Sequence, residues 1–230
     1  MKKTLIALMA LAGVAVAETL TLDTKAALSY EGATSLASSN KLVSWSTESD
    51  FATLDSWYLE ITMAASTVNA YDVMFESKGS RVNTSLALLV KNGSITLGEA
   101  SNNKTLLDSE KSITFAAGDV ITMAYYDGKL YLGNTNETRQ NYFEVTPTTG
   151  MTTTLVSGTP RVWTNGQTTP VGKATIYSLE NLTIPSGEKL DMATLMTTGV
   201  AQTMQLVPEP TTATLSLLAL AGLAVRRRRK

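Results

Sequence analysis

Apolar and polar residues alternate with a period of two along much of the chain. In residues 57–63, Trp57, Leu59, Ile61 and Met63 form the apolar set, with Tyr58, Glu60 and Thr62 opposite. That is the mark of a strand with one buried face. Residues 86–98 predict a hairpin about Asn92-Gly93, which pairs Val90 with Ile95 and Leu88 with Leu97 on one face. A second hairpin turns at Asp127-Gly128. Its inner face carries Ile121, Met123, Tyr125, Leu130 and Leu132, and its outer face Thr122, Ala124, Tyr126, Lys129 and Tyr131. In both hairpins the turn residues and the alternation demand the same register. Further strands are expected at 42–46, 71–77, 112–115, 142–145, 152–156, 161–163 and 174–184, and the 35 threonines suit them. One helix is expected over 190–198, ending at Gly199. Ten or more short strands with polar turns predict an all-β, two-sheet antiparallel jelly-roll sandwich, with a closed barrel as the alternative.

The two ends break this pattern. Met1-Lys2-Lys3, an apolar run over 5–14 and the small residues Ala15-Val16-Ala17 follow the order of a secretory signal peptide, expected to be cut after Ala17. At the other end stand Val207-Pro208-Glu209-Pro210, an apolar run over 211–225, then Arg226, Arg227, Arg228, Arg229 and Lys230. Fifteen helical residues reach ~22 Å, short of a ~30 Å hydrocarbon core, so such a helix holds in a bilayer by thinning it or by snorkelling its arginines. The terminal positive charges would stay on the cytoplasmic side. The prolines forbid helix continuity upstream, which predicts an extended, accessible strand there. This tail resembles the PEP-CTERM sorting signal of Gram-negative bacteria. The resemblance implies handling by an exosortase-type membrane transpeptidase at the Pro208-Glu209-Pro210 motif, with transient anchoring in the inner membrane. The expected division is therefore a signal peptide (1–17), a sandwich domain (18–199), a spacer (200–206) and a sorting signal (207–230).

Removing the end signals changes the charge balance. Residues 18–207 hold 9 Lys and 3 Arg against 19 Asp and Glu, a formal net charge of −7. So acidic a body lacks the basic footprint that nucleic acid requires. The chain has no Cys and no His, which removes disulfides, thiolate nucleophiles, imidazole metal sites and a Ser-His-Asp triad.

The second hairpin, from Gly118-Asp119-Val120 through Tyr125-Tyr126-Asp127-Gly128-Lys129 to Leu132-Gly133, resembles the central hairpin of concanavalin A-like lectin/glucanase domains, the laminin G-like branch in particular. Residues 174–184 resemble the closing strand of that fold. The resemblance implies a jelly roll of the lectin type. Asp119-Val120 replace the aromatic residue that commonly precedes the hairpin strand there.

Glycosidases need two carboxylates flanking the scissile bond, ~5–5.5 Å apart in retaining enzymes. No strand here bears such a pair. Glu48-Ser49-Asp50 and Asp108-Ser109-Glu110 fall in turn-like stretches, and the three S-x-x-K matches, at Ser38, Ser101 and Ser186, come without S-D-N or K-T-G. The expectation is a protein that is not an enzyme. Tyr126 and Tyr131 share the outer face of the hairpin, where sugar rings can stack on them while Lys129 and Asn134 orient the ligand. Asn134-Thr135-Asn136-Glu137 offers oxygen ligands for Ca²⁺ but few carboxylates. The function expected is a non-catalytic carbohydrate-binding or adhesive module at the cell surface or in the extracellular matrix, its partner an extracellular polysaccharide or host glycan. A purely structural surface protein and a glycan hydrolase are the alternatives.

Overall fold

The computed structural model describes residues 22–29, 41–44, 53–63, 72–78, 84–91, 93–99, 106–156, 160–164, 171–184, 186–200 and 206–208. The signal peptide with Ala17, the motif residues Glu209 and Pro210, and the tail with Arg226–Arg229 lie outside them. Among the described residues no helix is long and apolar enough to cross a membrane.

The elements run β1 (Asp23–Ser29), β2 (Lys41–Ser44), β3 (Thr53–Leu54), β4 (Trp57–Met63), β5 (Asp72–Glu76), β6 (Leu86–Lys91), β7 (Ser94–Glu99) and β8 (Ile113–Thr114). There follow β9 (Val120–Tyr126), β10 (Lys129–Asn134), β11 (Asn141–Val145), β12 (Leu155–Val156), β13 (Arg161–Thr164), β14 (Val171–Ser178), β15 (Glu188–Leu190), α1 (Met192–Thr198) and β16 (Leu206–Pro208). Two six-stranded antiparallel sheets carry the fold, in the orders β1-β14-β4-β9-β10-β11 and β2-β13-β5-β6-β7-β8. The pairs β3–β12 and β15–β16 form short ladders of their own.

Both hairpins have the expected register. Val90 faces Ile95 and Leu88 faces Leu97 across β6–β7, and Lys129 faces Tyr126 across β9–β10. Asp127 and Gly128 both have positive φ, 48° and 72°, which is the requirement of a tight type I′ turn between twisted strands. The apolar set of β4 meets Ile121, Met123, Leu130 and Leu132 from the same sheet and Met74, Phe75, Leu88, Ile95 and Leu97 from the other, in one buried cluster. Trp57 and Phe75 touch across the layers with ring centroids 6.1 Å apart. This is an all-β sandwich whose core comes from the inner faces of two antiparallel sheets.

Strand β14 ends at Ser178, so the strand expected over 174–184 stops six residues early. β1, its neighbour at the sheet edge, was not foreseen. The helix forms as expected. Asp191 caps it, accepting from the Thr194 amide at 3.1 Å, and the Gly199 amide closes it on the Leu195 carbonyl. Seven residues are too few to hold a helix unaided. Its stability comes from burying Met192, Leu195 and Met196, at helical spacing, against Tyr58, Ala124 and Tyr131 on the outer face of the first sheet.

That packing covers part of the outer face of the second hairpin. Thr122 and Ala124 are 0% exposed, and the Thr122 hydroxyl donates to the Met196 carbonyl at 2.7 Å. The Val200 amide donates to Glu60 Oε1 at 2.7 Å, and Leu206–Pro208 pairs antiparallel with Glu188–Leu190, so residues bounding 200–206 return to the body. The strand before Pro208 is extended, as expected, but it is paired.

Candidate functional site

The outer face of the second hairpin is divided by α1. Near the Met196 carbonyl it is closed over Thr122 and Gly133. Toward the Asp127-Gly128 turn it opens into a cleft of about 720 Å³, a size that accommodates a small organic ligand. One wall is the sheet, with Tyr126, Tyr131, Tyr142 and Glu144. The other wall is the segment from Ile184 through β15 into the first turn of α1.

Strand register explains the sheet wall. Tyr131 stands opposite Ala124 on one side and Glu144 on the other, while Gly133 stands opposite Tyr142. Side chains on one face of adjacent strands touch directly or on the diagonal, so β9, β10 and β11 each place a tyrosine on this patch. Phe143 packs toward the core, which turns Tyr142 and Glu144 outward by alternation. Exposure is graded: Tyr142 is 39% exposed, Tyr126 half-buried and Tyr131 only 8% exposed.

Burial raises the pKa of the Tyr126 phenol, with Asp127 adding to the effect. Burial does the same at Tyr131, followed by the charges of Glu144 and Asp127. Both phenols therefore stay protonated at neutral pH and can donate an O–H to a ligand.

The four residues singled out in the sequence part company. Tyr126 and Tyr131 line the cleft. Lys129 lies beside Tyr126 in the ladder, but its ammonium donates to Thr146 Oγ1 at 3.1 Å and it is not a wall of the cleft. Asn134 falls on the other face of β10 and is 0% exposed. Its amide donates to the Thr114 carbonyl and to Asp119 Oδ2, both at 2.9 Å. It is an internal clamp, because alternation from Leu130 and Leu132 carries residue 134 inward.

The loop considered for Ca²⁺ is built around Asp119. This carboxylate accepts from the Ala116 amide, from Asn134 and Asn136, and from Nε and Nη2 of Arg139 in a two-pronged contact at 2.8 Å. Asn136 Oδ1 accepts from the amide and hydroxyl of Thr138. The side-chain oxygens of Asn134 and Asn136 are thus engaged internally, and Arg139 neutralises the Asp119 carboxylate. Among the described residues no three acidic, His or Cys side chains gather to hold a metal.

A second polar cluster lies under α1. The Tyr58 hydroxyl donates to Glu60 Oε1 at 3.0 Å, and burial holds its pKa well above the ordinary value. Tyr177, its ring 5.8 Å from that of Tyr58, is pushed up to about 12 by burial and then by Glu60. Glu60 also receives the Val200 amide, so the cluster ties the chain leaving the helix to the sheet.

Tyr142, Glu144 and Glu188 are cleft residues that the sequence reading missed. Tyr142 and Glu144 were within reach, since the expected strand at 142–145 already alternates. Glu188 was not, because nothing local ties residues 184–193 to the hairpin.

No family model matches the chain, and no curated protein matches it. Among solved structures it is similar to one described as NanB plus Optactamide, at 12% identity and a TM-score of 0.42. The match covers 70% of this chain and 26% of that one, so the chain spans about a quarter of its length.

Proposed function

We propose that this chain is an exported surface protein with a jelly-roll sandwich of the concanavalin A-like kind, which binds carbohydrate without transforming it. Its C-terminal Pro208-Glu209-Pro210 region, apolar run and arginines act as a PEP-CTERM signal read by an exosortase-type transpeptidase. The observation that carries the binding reading is the cleft, in which three tyrosines from three adjacent strands face a wall rich in backbone and carboxylate groups. Aromatic faces take the C–H surface of a pyranose, and carboxylates and protonated phenols bond its hydroxyls. A site this open binds weakly, and display of many copies raises the effective affinity.

The test is binding of the full-length chain in detergent to immobilised extracellular polysaccharide, for the wild type and for Tyr126→Ala/Tyr142→Ala. These two rings are the more exposed, and although Tyr126 borders the cluster under α1, the covered Tyr131 and the buried members of that cluster stay in place. Binding should fall by about tenfold or more with an unchanged melting temperature. Equal binding by a folded double variant removes the site. Failure of the wild type to bind any polysaccharide favours a purely structural surface protein.

A further inference from the structure

The charges around the cleft narrow the ligand, given that the cleft is a saccharide site as proposed above. Its lining holds four carboxylates, Asp127, Glu144, Glu188 and Asp191, against one ammonium, Lys189. Asp191 is already committed: both of its oxygens accept from Thr194 at the start of α1. The other three make no ion pair among the described residues. Glu188 Oε2 is buried and finds no hydrogen-bond partner among the described residues. Two further cations stand beside the sheet wall, and both are engaged: Lys129 donates to Thr146 Oγ1, and Lys111 donates to the Glu144 backbone carbonyl at 2.9 Å and pairs with Asp108.

Glu188 is half-buried with one oxygen unpartnered, which is costly, and Asp127 and Glu144 are exposed. A cationic ligand relieves the cost at Glu188 and is attracted by all three, where a neutral one gains only part of this. An anionic ligand would meet like charge on both walls. We infer that the cleft selects saccharides bearing positive charge, that is, sugars with a free amino group. Tyr126 and Tyr142 hold the ring, while Glu188 and Glu144, from opposite walls, receive the ammonium.

Calorimetric titration of the full-length chain in detergent tests this with three probes of equal length: a glucosamine oligomer, its N-acetylated counterpart and an oligogalacturonate. The amino form should bind about tenfold or more tightly than the acetylated form, with the advantage shrinking at high salt, and the anionic form should bind worst. Glu144→Gln/Glu188→Gln should erase the preference, so that the amino and acetylated oligomers bind alike. Tyr126→Ala/Tyr142→Ala should weaken both forms alike. If the amino and acetylated oligomers bind equally and without salt dependence, the charge inference falls while the saccharide reading stands. Absence of binding by all three probes and by extracellular polysaccharide overturns both. Polylysine binding as tightly as the amino sugar shows charge recognition without a ring, and overturns the assignment to a saccharide.

Discussion

Asp119 concentrates more structural work than any other polar side chain described in the molecule. Its backbone carbonyl receives the Met63 amide, and the Gly118 amide returns to the Met63 carbonyl, both at 2.8 Å, so the start of β9 is tied to the end of β4. Its carboxylate gathers the 116–119 turn, the end of β10 and the 136–139 loop. The Arg139 guanidinium is the main cause that lowers its pKa from 3.8 to about 2, although its burial pulls the other way. The carboxylate therefore loses protons more readily folded than unfolded. Its stabilising contribution is complete above about pH 4 and is lost as the pH falls toward 2. Melting temperatures measured across that window should drop in the wild type and change less in Asp119→Asn, and parallel curves would remove the assignment. Two neighbouring residues separate burial by side chain from burial by sheet face. Leu132→Ala empties an inner-face site and should cost about 2–5 kcal/mol. Thr122→Ala, an exchange on the outer face, should cost about 1–2 kcal/mol, because the hydroxyl bonded to the Met196 carbonyl is lost. Urea melts give both values, and a Thr122→Ala effect near zero would mean that α1 does not seat there. The sequence made the inner residues readable, since Ile121, Met123, Leu130 and Leu132 repeat at the period of a strand. It hid Asp119, whose partners Asn134, Asn136 and Arg139 lie fifteen to twenty positions away.

Elements obey the same division. The two hairpins were legible because Asn92-Gly93 and Asp127-Gly128 fix a register that the alternation of their flanks also requires. What covers the second hairpin was not, because Thr122, Ala124 and Gly133 are small or polar and read as a solvent face. They are small for another reason. A Cβ at residue 133 would overlap the Met196 carbonyl and come within 2.7 Å of Thr122 Oγ1, so only glycine lets the helix lie this close. The obstacle on the helix side is backbone, which cannot swing aside as a side-chain tip can. Gly133→Ala should therefore lift α1 from the sheet, costing about 1–3 kcal/mol and speeding hydrogen exchange in the helix well before the hairpin. Because α1 continues the wall that begins with β15, the same variant should weaken ligand binding in the cleft. Unchanged exchange in α1 would show that the contact is slack. The cleft itself was half legible: its sheet wall follows from alternation, whereas its other wall depends on long-range pairing of β15 with β16.

At the scale of the whole molecule, the ladder between Glu188–Leu190 and Leu206–Pro208 connects the cleft to the proposed sorting signal. One edge of β15 borders the ligand space and the other holds the strand that ends in the first proline of the Pro-Glu-Pro motif. A transpeptidase that cut upstream of Leu206 would strip β16 away and leave the backbone of β15 unpaired beside the cleft, at a cost comparable to several lost backbone hydrogen bonds. A cut beyond Pro208 leaves the ladder and the acidic wall intact while discarding the apolar run and the arginines. The acidic body, −7 over residues 18–207, then meets its partners free of the basic tail. Intact-mass analysis of the protein from its native host should thus give a chain that begins at Glu18 and ends after Pro208, without Arg226–Lys230. A mature chain that retains those arginines sinks the sorting proposal. One that ends before Leu206 keeps it, but shows that the ladder is released during processing.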